Sequence, residues 1–179
     1  MFAPLSDTDD TKYTAEPSKF AAAIESKPSM DISDTKVYAD NVPQECDNSV
    51  TGGKLVLTVY NEDVKIVNPL LGKTSKTTTI GEEQVEVWES NGNDKAKYIG
   101  IGYIETTAKG YKATMYKKVQ LNPYETNSKT KEDKVSYNHS DIEGTIFLIS
   151  DGSYKKEAIC ETKEAAIEAL KSFFPQAAA

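Results

Sequence analysis

Lys97-Tyr-Ile-Gly-Ile-Gly-Tyr-Ile-Glu-Thr-Thr-Ala-Lys-Gly-Tyr-Lys-Ala-Thr-Met-Tyr-Lys-Lys-Val-Gln-Leu121 holds two β-rich runs that meet at Lys109-Gly110. In the first, Ile99, Ile101 and Tyr103 share one side and Tyr98, Gly100, Gly102 and Ile104 take the other, because strand side chains alternate between faces. In the second, Ala113, Met115, Val119 and Leu121 oppose Lys112, Thr114, Lys118 and Gln120, the apolar-in, polar-out pattern of a half-buried antiparallel strand. Gly110 supplies the positive φ that a tight hairpin turn wants. The stretch predicts the central hairpin of a β-sheet, and Gly100 and Gly102 predict close backbone packing.

Upstream, Lys54-Leu-Val-Leu-Thr-Val-Tyr60 reads as a strand with Leu55, Leu57 and Val59 on one face. Ser29–Ser33 and Lys36–Ala39 are shorter β-like runs, the second stopped by Pro43. Between Asp40 and Gly53 the chain is too polar for a core, so the reading is a long excursion, of a length that in compact domains is usually functional or disordered. Residues 1–19, with Pro4, Pro17 and the acidic Asp7–Asp10, have neither helical nor strand period and read as a solvated arm. Asn61 is placed as the cap of a helix carrying Val64, Val67 and Leu71 along one side, shortened by Pro69 and ended by Gly72. Residues 72–81 read as a polar, Thr-rich loop. Gln84–Glu89 alternates, with Val85 and Val87 facing in and Gln84 and Glu86 facing out.

Downstream, residues 122–134 are almost wholly polar, and β character returns over Val135–His139 and Asp141–Ile149. The latter is expected to pair with Tyr154–Cys160 through the Ser150-Asp-Gly-Ser153 turn. Thr162 caps a terminal helix over Lys163–Phe174, with Glu164 in the first turn, Lys171 in the last and an apolar stripe of Ala166, Leu170, Phe173 and Phe174. Its expected role is to cover one face of the sheet.

A chain of 179 residues suffices for one domain that buries about 70% of its unfolded surface. Hydrophobic residues at 38% and charged ones at 27% fit a soluble globular class, and no run approaches the roughly 20 apolar residues of a membrane span. Met1–Asp10 has neither the basic nor the apolar region of a secretory signal, so cytosolic synthesis is the expectation. Cys46 and Cys160, far apart in such a chain, are expected to be reduced structural thiols. A formal charge of -7 repels polyanions and disfavours tight nucleic-acid binding, while leaving room for a surface past which DNA slides.

The chemistry-bearing patterns each fail on a required position. A calcium loop starting at Asp7 would need Gly where Lys12 stands and Glu where Ser18 stands. Gly72-Lys-Thr74 lacks the P-loop's earlier Gly, which is Val67, and follows a helix. Gly100-Ile-Gly102 has Glu105 where a dinucleotide fingerprint needs Gly. His139, Ser140 and Asp141 are neighbours along an extended run and point to alternate faces, which is not how a triad converges. One His and two distant Cys do not make a structural zinc site. No carboxylate has the apolar surround that would mark a general acid.

The series Lys36-Val-Tyr-Ala-Asp-Asn41 with Gln44-Glu45, the strand Gly53–Tyr60, the helix ending Leu70-Leu-Gly72, Tyr98-Ile-Gly-Ile-Gly-Tyr103, the run Tyr111–Leu121, Glu143-Gly-Thr-Ile-Phe147 and the Asp151-Gly152 turn resembles, in order, the major tail protein of long, non-contractile-tailed phages, over residues 20 to 174. The resemblance implies a mainly β fold with flanking helices, an antiparallel sandwich or barrel-like tail tube domain over residues 20–179 with a long loop at about 33–53 and a C-terminal helix. It implies hexameric rings stacked into a tube in the virion tail, assembled in the bacterial host cytoplasm, whose lumen conducts DNA without specific binding. The implied partners are further copies of the chain and other tail proteins such as the tape measure and tail terminator, with no cofactor, metal, catalysis or membrane. Lys36, Val37, Tyr38, Ala39, Asp40, Asn41, Val42, Gln44 and Glu45 would make inter-ring contacts, the arm at 1–19 would also reach a neighbour, and Gln84 and Glu86 would face the lumen. The fold is shared with tubes of phage-derived bacteriocins and effector-delivery machines. From a different class, the aromatic strands and Trp88 suit a monomeric β-barrel that binds a small ligand.

Overall fold

The computed structural model describes residues 1–19, 21–33, 35–39, 42–60, 63–123 and 139–177, with the backbone alone at 35–39, 42–47 and 139. Its strands are β1 (Phe2–Pro4), β2 (Ala22–Ile32), β3 (Thr35–Ala39), β4 (Val42–Asp47), β5 (Val50–Tyr60), β6 (Thr74–Ile80), β7 (Glu83–Glu89), β8 (Tyr98–Thr107), β9 (Gly110–Leu121), β10 (His139–Phe147) and β11 (Lys155–Cys160). The helices are α1 (Val64–Leu70) and α2 (Lys163–Ser172).

β8 and β9 form the expected hairpin, paired from Thr107↔Gly110 to Tyr98↔Gln120, with Gly110 at φ 128°. One irregularity reorganises its faces. Ile99 pairs with Val119 but Ile101 pairs with Tyr116, so Lys117 and Lys118 together oppose Gly100, which is a β-bulge. The extra residue inverts the alternation of β9. Ala113 and Met115 therefore enter one core and Val119 and Leu121 the other, where unbroken alternation had placed all four on one side. Tyr116 is buried as well.

The main sheet runs β1-β8-β9-β10-β5-β2, antiparallel throughout, with β11 also on β9, and its two ends are not joined into a barrel. The fold is thus mainly β with antiparallel sheets and a C-terminal helix. β10 pairs with β5 over eight rungs, from His139↔Tyr60 to Ile146↔Gly53, and with the end of β9 from Gly144↔Leu121 to Phe147↔Lys118. β11 does not pair back onto β10, contrary to expectation. It takes up β9 where β10 leaves it, from Lys155↔Tyr116 to Cys160↔Tyr111. Residues 149–153 close on themselves through Gly152 N–H to Ile149 C=O (2.8 Å) and Ile149 N–H to Ser153 C=O (2.9 Å), so the Asp-Gly turn is a side loop that leaves the chain's direction unchanged.

Apolar side chains cover one face of this sheet across β8, β9, β10 and β5 and the other face around β8 and β9. On one, Leu55, Leu57, Val59, Ile99, Ile101, Val119, Leu121, Ile142 and Ile146 close against Val67, Leu70 and Leu71 of the α1 region. On the other, Ala113 and Met115 pack against Ala166, Leu170 and Phe174 from the α2 segment and Ala3, Leu5 and Tyr13 from the N-terminal segment. Gly100 and Gly102 make that second approach possible. A Cβ on Gly100 would lie 2.5 Å from Tyr13 Cε1, and one on Gly102 would lie 2.6 Å from Leu170 Cδ1.

Residues 1–19 are therefore no solvated arm. β1 pairs with β8, Phe2 and Ser18 exchange both backbone hydrogen bonds, and Leu5 N–H bonds Tyr98 C=O. Phe2, Ala3, Leu5 and Tyr13 are all buried. The Tyr13 hydroxyl donates to Lys117 C=O at 2.8 Å, and its ring meets Phe174 edge-on at 5.1 Å. Asp10 pins the turn, accepting from Ser150 Oγ at 2.8 Å and Ser150 N at 3.1 Å. These partners lie about a hundred residues away along the chain, so the segment carries no local period.

Both helices are capped. Asn61 lies outside the described residues, and the cap of α1 is Asp63, which accepts from Lys65 N at 2.9 Å. Val67 and Leu71 are buried as expected, but Val64 is 51% exposed and Leu70 takes the third apolar position. Pro69 sits in the last turn and Gly72 follows at φ 81°. In α2, Thr162 Oγ1 accepts from Ala165 N at 3.2 Å, and Ala166, Leu170 and Phe174 face the sheet as their spacing predicts.

Candidate assembly surfaces

The segment expected as a loop at about 33–53 is a β-ribbon. β2 pairs with β5 from Ala22↔Tyr60 to Ile32↔Val50, and Ser33 N–H bonds Ser49 C=O at 2.8 Å. β3 and β4 continue the ladder from Thr35↔Asp47 to Ala39↔Val42, with a bulge beside Tyr38. Pro43 does not end the run, because it pairs at that irregularity, where a missing N–H is tolerated. The ribbon extends about 17–20 Å past the β2–β5 ladder at roughly 3.3 Å per residue, and β3 and β4 pack chiefly on each other. Of the residues expected to touch a neighbour, Lys36, Val37, Tyr38 and Ala39 lie on β3 and Val42, Gln44 and Glu45 on β4. Asp40 and Asn41, between the strands, lie outside the described residues.

A second ribbon follows α1. The Thr-rich stretch taken for a loop is β6, which pairs with β7 from Thr74↔Glu89 to Ile80↔Glu83 around Gly81 at φ 66°. No side chain of β6 or β7 is fully buried. Opposed residues share a face, so Gln84 and Glu86, both exposed, lie with Thr77 and Thr79 on a mainly polar face that ends in Ser75 and the half-buried Trp88. Glu86 comes within 4.0 Å of Lys65 Nζ. The other face carries Ile80, Val85 and Val87 together with Thr74, Lys76 and Thr78, between Glu83 near the tip and Glu89 at the base. Val85 and Val87 were expected to face a core. Instead Ile80 is 58% and Val87 37% exposed, and β6 and β7 pack chiefly on each other.

A third surface is the polar side of β2, β5 and β10, opposite Leu55, Leu57 and Val59. Lys54 pairs with Glu143 at 2.7 Å, Lys27 with Glu25 at 2.8 Å, and Thr58 Oγ1 donates to Asp141 at 2.6 Å. Asp31 joins the same face by register. The described part of this face thus carries four carboxylates and two lysines, and each lysine is matched to a carboxylate. The hydrogen bond that Lys27 donates to Glu25 holds its ammonium above the ordinary pKa. Sequence reasoning missed this face because Ala22–Lys27 shows no alternation: a register shift between Ala23 and Glu25 interrupts it.

The groups singled out for chemistry are engaged elsewhere or apart. Asp10 is held below its ordinary pKa by the Ser150 hydroxyl, with Lys118 adding to the effect, and Asp9 by Thr11, so these acids fix a turn. Asp141 accepts from Thr58. His139 is placed only by its backbone, opposite Tyr60. The Cys160 thiol is unpaired, and the side chain of Cys46 lies outside the described residues. Among the described residues, no three of His, Cys, Asp and Glu gather as metal ligands, and no helix is long and apolar enough to cross a membrane. Compared with protein-family models, curated proteins and solved structures, the chain matches none of them.

Proposed function

We propose that this chain is the structural subunit of a phage-type tail tube, in which copies close into rings of six, the rings stack, and DNA passes along the lumen during ejection. The observation that carries the reading is the pair of ribbons, β3–β4 and β6–β7, each of which among the described residues packs chiefly on itself. A two-stranded ribbon is marginal in water by itself, and a bare strand edge is an aggregation hazard. Both costs are met when a neighbouring copy covers them. The resemblance of the ordered motifs to the major tail proteins of long-tailed phages supplies the identity of the assembly.

The polar side of β2, β5 and β10 suits a conducting wall. A lysine that neutralised a phosphate would release counterions and hold the passing duplex. Here both lysines already have carboxylate partners and two carboxylates remain over. Gln84 and Glu86, on the polar face of β6–β7, belong to the same kind of surface. The buried side chains that fill the face of the sheet against α1 tell against a carrier with an internal ligand cavity.

The test is to purify the full chain, concentrate it, and follow sedimentation and negative-stain images. Rings or tubes are expected. Replacing residues 34–48 by a two-residue turn keeps the Ser33–Ser49 rung, so melting should stay unchanged while stacking is lost. Full-length protein that stays monomeric at every concentration would overturn the reading.

A further inference from the structure

The two ends of the main sheet come close without pairing, and an apolar groove of about 360 Å³ runs between them, floored by Ala23, Val59, Ile101 and Tyr103, with Lys19 and Lys163 on its lining. One wall is an open strand edge. Gly102 exchanges both backbone hydrogen bonds with Met1, so its N–H and C=O point away from β9. By alternation those of Ile104 and Thr106 point the same way, and among the described residues the N-terminal segment covers β8 only as far as Gly102. The groove therefore offers unpaired backbone, an apolar floor and two exposed ammonium groups.

The β6–β7 ribbon has the complementary make-up. Ile80, Val85 and Val87 share one face with Glu83 and Glu89 and with Thr74, Lys76 and Thr78 of β6, and residues 74–89 carry four glutamates against one lysine, Lys76. We propose that the β6–β7 ribbon of one copy enters the seam between β8 and β2 of the next, adding strand to the β8 edge, laying Ile80, Val85 and Val87 on the groove floor and placing Glu83 and Glu89 toward Lys19 and Lys163. This rests on the tube reading above and specifies the surfaces that mate within it. The contact is heterologous, one face against a different one, which is the type that closes rings. It also covers exposed apolar side chains and an open strand edge in one step.

Charge reversal tests the pairing. Glu83→Lys with Glu89→Lys, or Lys19→Glu with Lys163→Glu, should each raise the concentration at which rings form by about tenfold or more, and mixing the two variants should restore assembly to near the wild-type threshold. Thermal melts of the monomers control for folding. Independently, hydrogen exchange on wild-type protein should show the amides of residues 74–89 and of Ile104 and Thr106 about a hundredfold more protected in rings than in monomers. Wild-type rings in which those amides stay unprotected, or charge-reversed variants that assemble normally or fail to rescue each other, would overturn this contact and leave the tube reading standing. Wild-type protein that never assembles would overturn both.

Discussion

Tyr13 decides whether the N-terminal segment belongs to the folded body of the chain. It is 2% exposed, donates to Lys117 C=O, packs edge-on against Phe174 and covers Gly100, where no Cβ fits. Its burial also pushes the phenol pKa well above the ordinary value, as expected for a hydroxyl kept as a neutral donor. Tyr13→Phe removes one buried hydrogen bond and should cost about 1 kcal/mol. Tyr13→Ala also empties the space above Gly100 and beside Phe174, a change on the order of 3–5 kcal/mol for a large buried aromatic. With a urea slope of about 2 kcal/mol/M, the Ala variant should unfold at a midpoint roughly 1.5–2.5 M lower, with the slope unchanged. Urea unfolding followed by far-ultraviolet circular dichroism reads this directly. A Tyr13→Ala midpoint shifted by no more than the roughly 0.5 kcal/mol typical of surface positions would refute the packed placement and return residues 1–19 to the role of an arm.

Two further outcomes follow from the same core. Asp10 has a folded pKa held below its unfolded one by Ser150 and Lys118, so the stability it lends is present above the unfolded value of about 4 and is lost as pH falls through the folded value. Asp10→Asn should therefore lower the urea midpoint at pH 7 and narrow the gap from wild type at pH 3. Equal gaps at the two pH values would contradict this. Gly102→Ala drives a methyl into Leu170 and should cost about 1–3 kcal/mol. Combined with Leu170→Ala it should cost less than the sum of the two single changes, a coupling that a double-mutant cycle measures.

The parts of the fold legible in the sequence are those where one face is wet and the other dry. Lys97–Leu121 and Lys163–Phe174 carry periods of two and about 3.6 because burial on a single side imposes them. β6 was not legible, since with both faces exposed Thr74–Thr79 has no polarity contrast, and its β-branched residues were the remaining signal. Phe2, Leu5 and Tyr13 were not legible because Phe2 pairs with Ile101, Leu5 with Tyr98, and Tyr13 with Lys117 and Phe174, all far along the chain. The ladder of β11 was misassigned because the Asp151-Gly152 turn marks a change of direction without telling that a second turn undoes it. For the candidate surfaces, Gln84–Glu89 was legible as a strand by its alternation, whereas Lys36–Ala39 was assigned to contacts through the resemblance. The wall of β2, β5 and β10 depends on register across three strands, which no single run displays.

The bulge at Lys117–Lys118 makes β9 a member of both apolar layers at once. Neither layer has a complete set of strands without it, so heat or pulling should not melt one and spare the other. In the proposed tube, a subunit tugged by its neighbours through the two ribbons would hold its shape up to a threshold and then fail as a whole, which would suit one link of a long hollow filament.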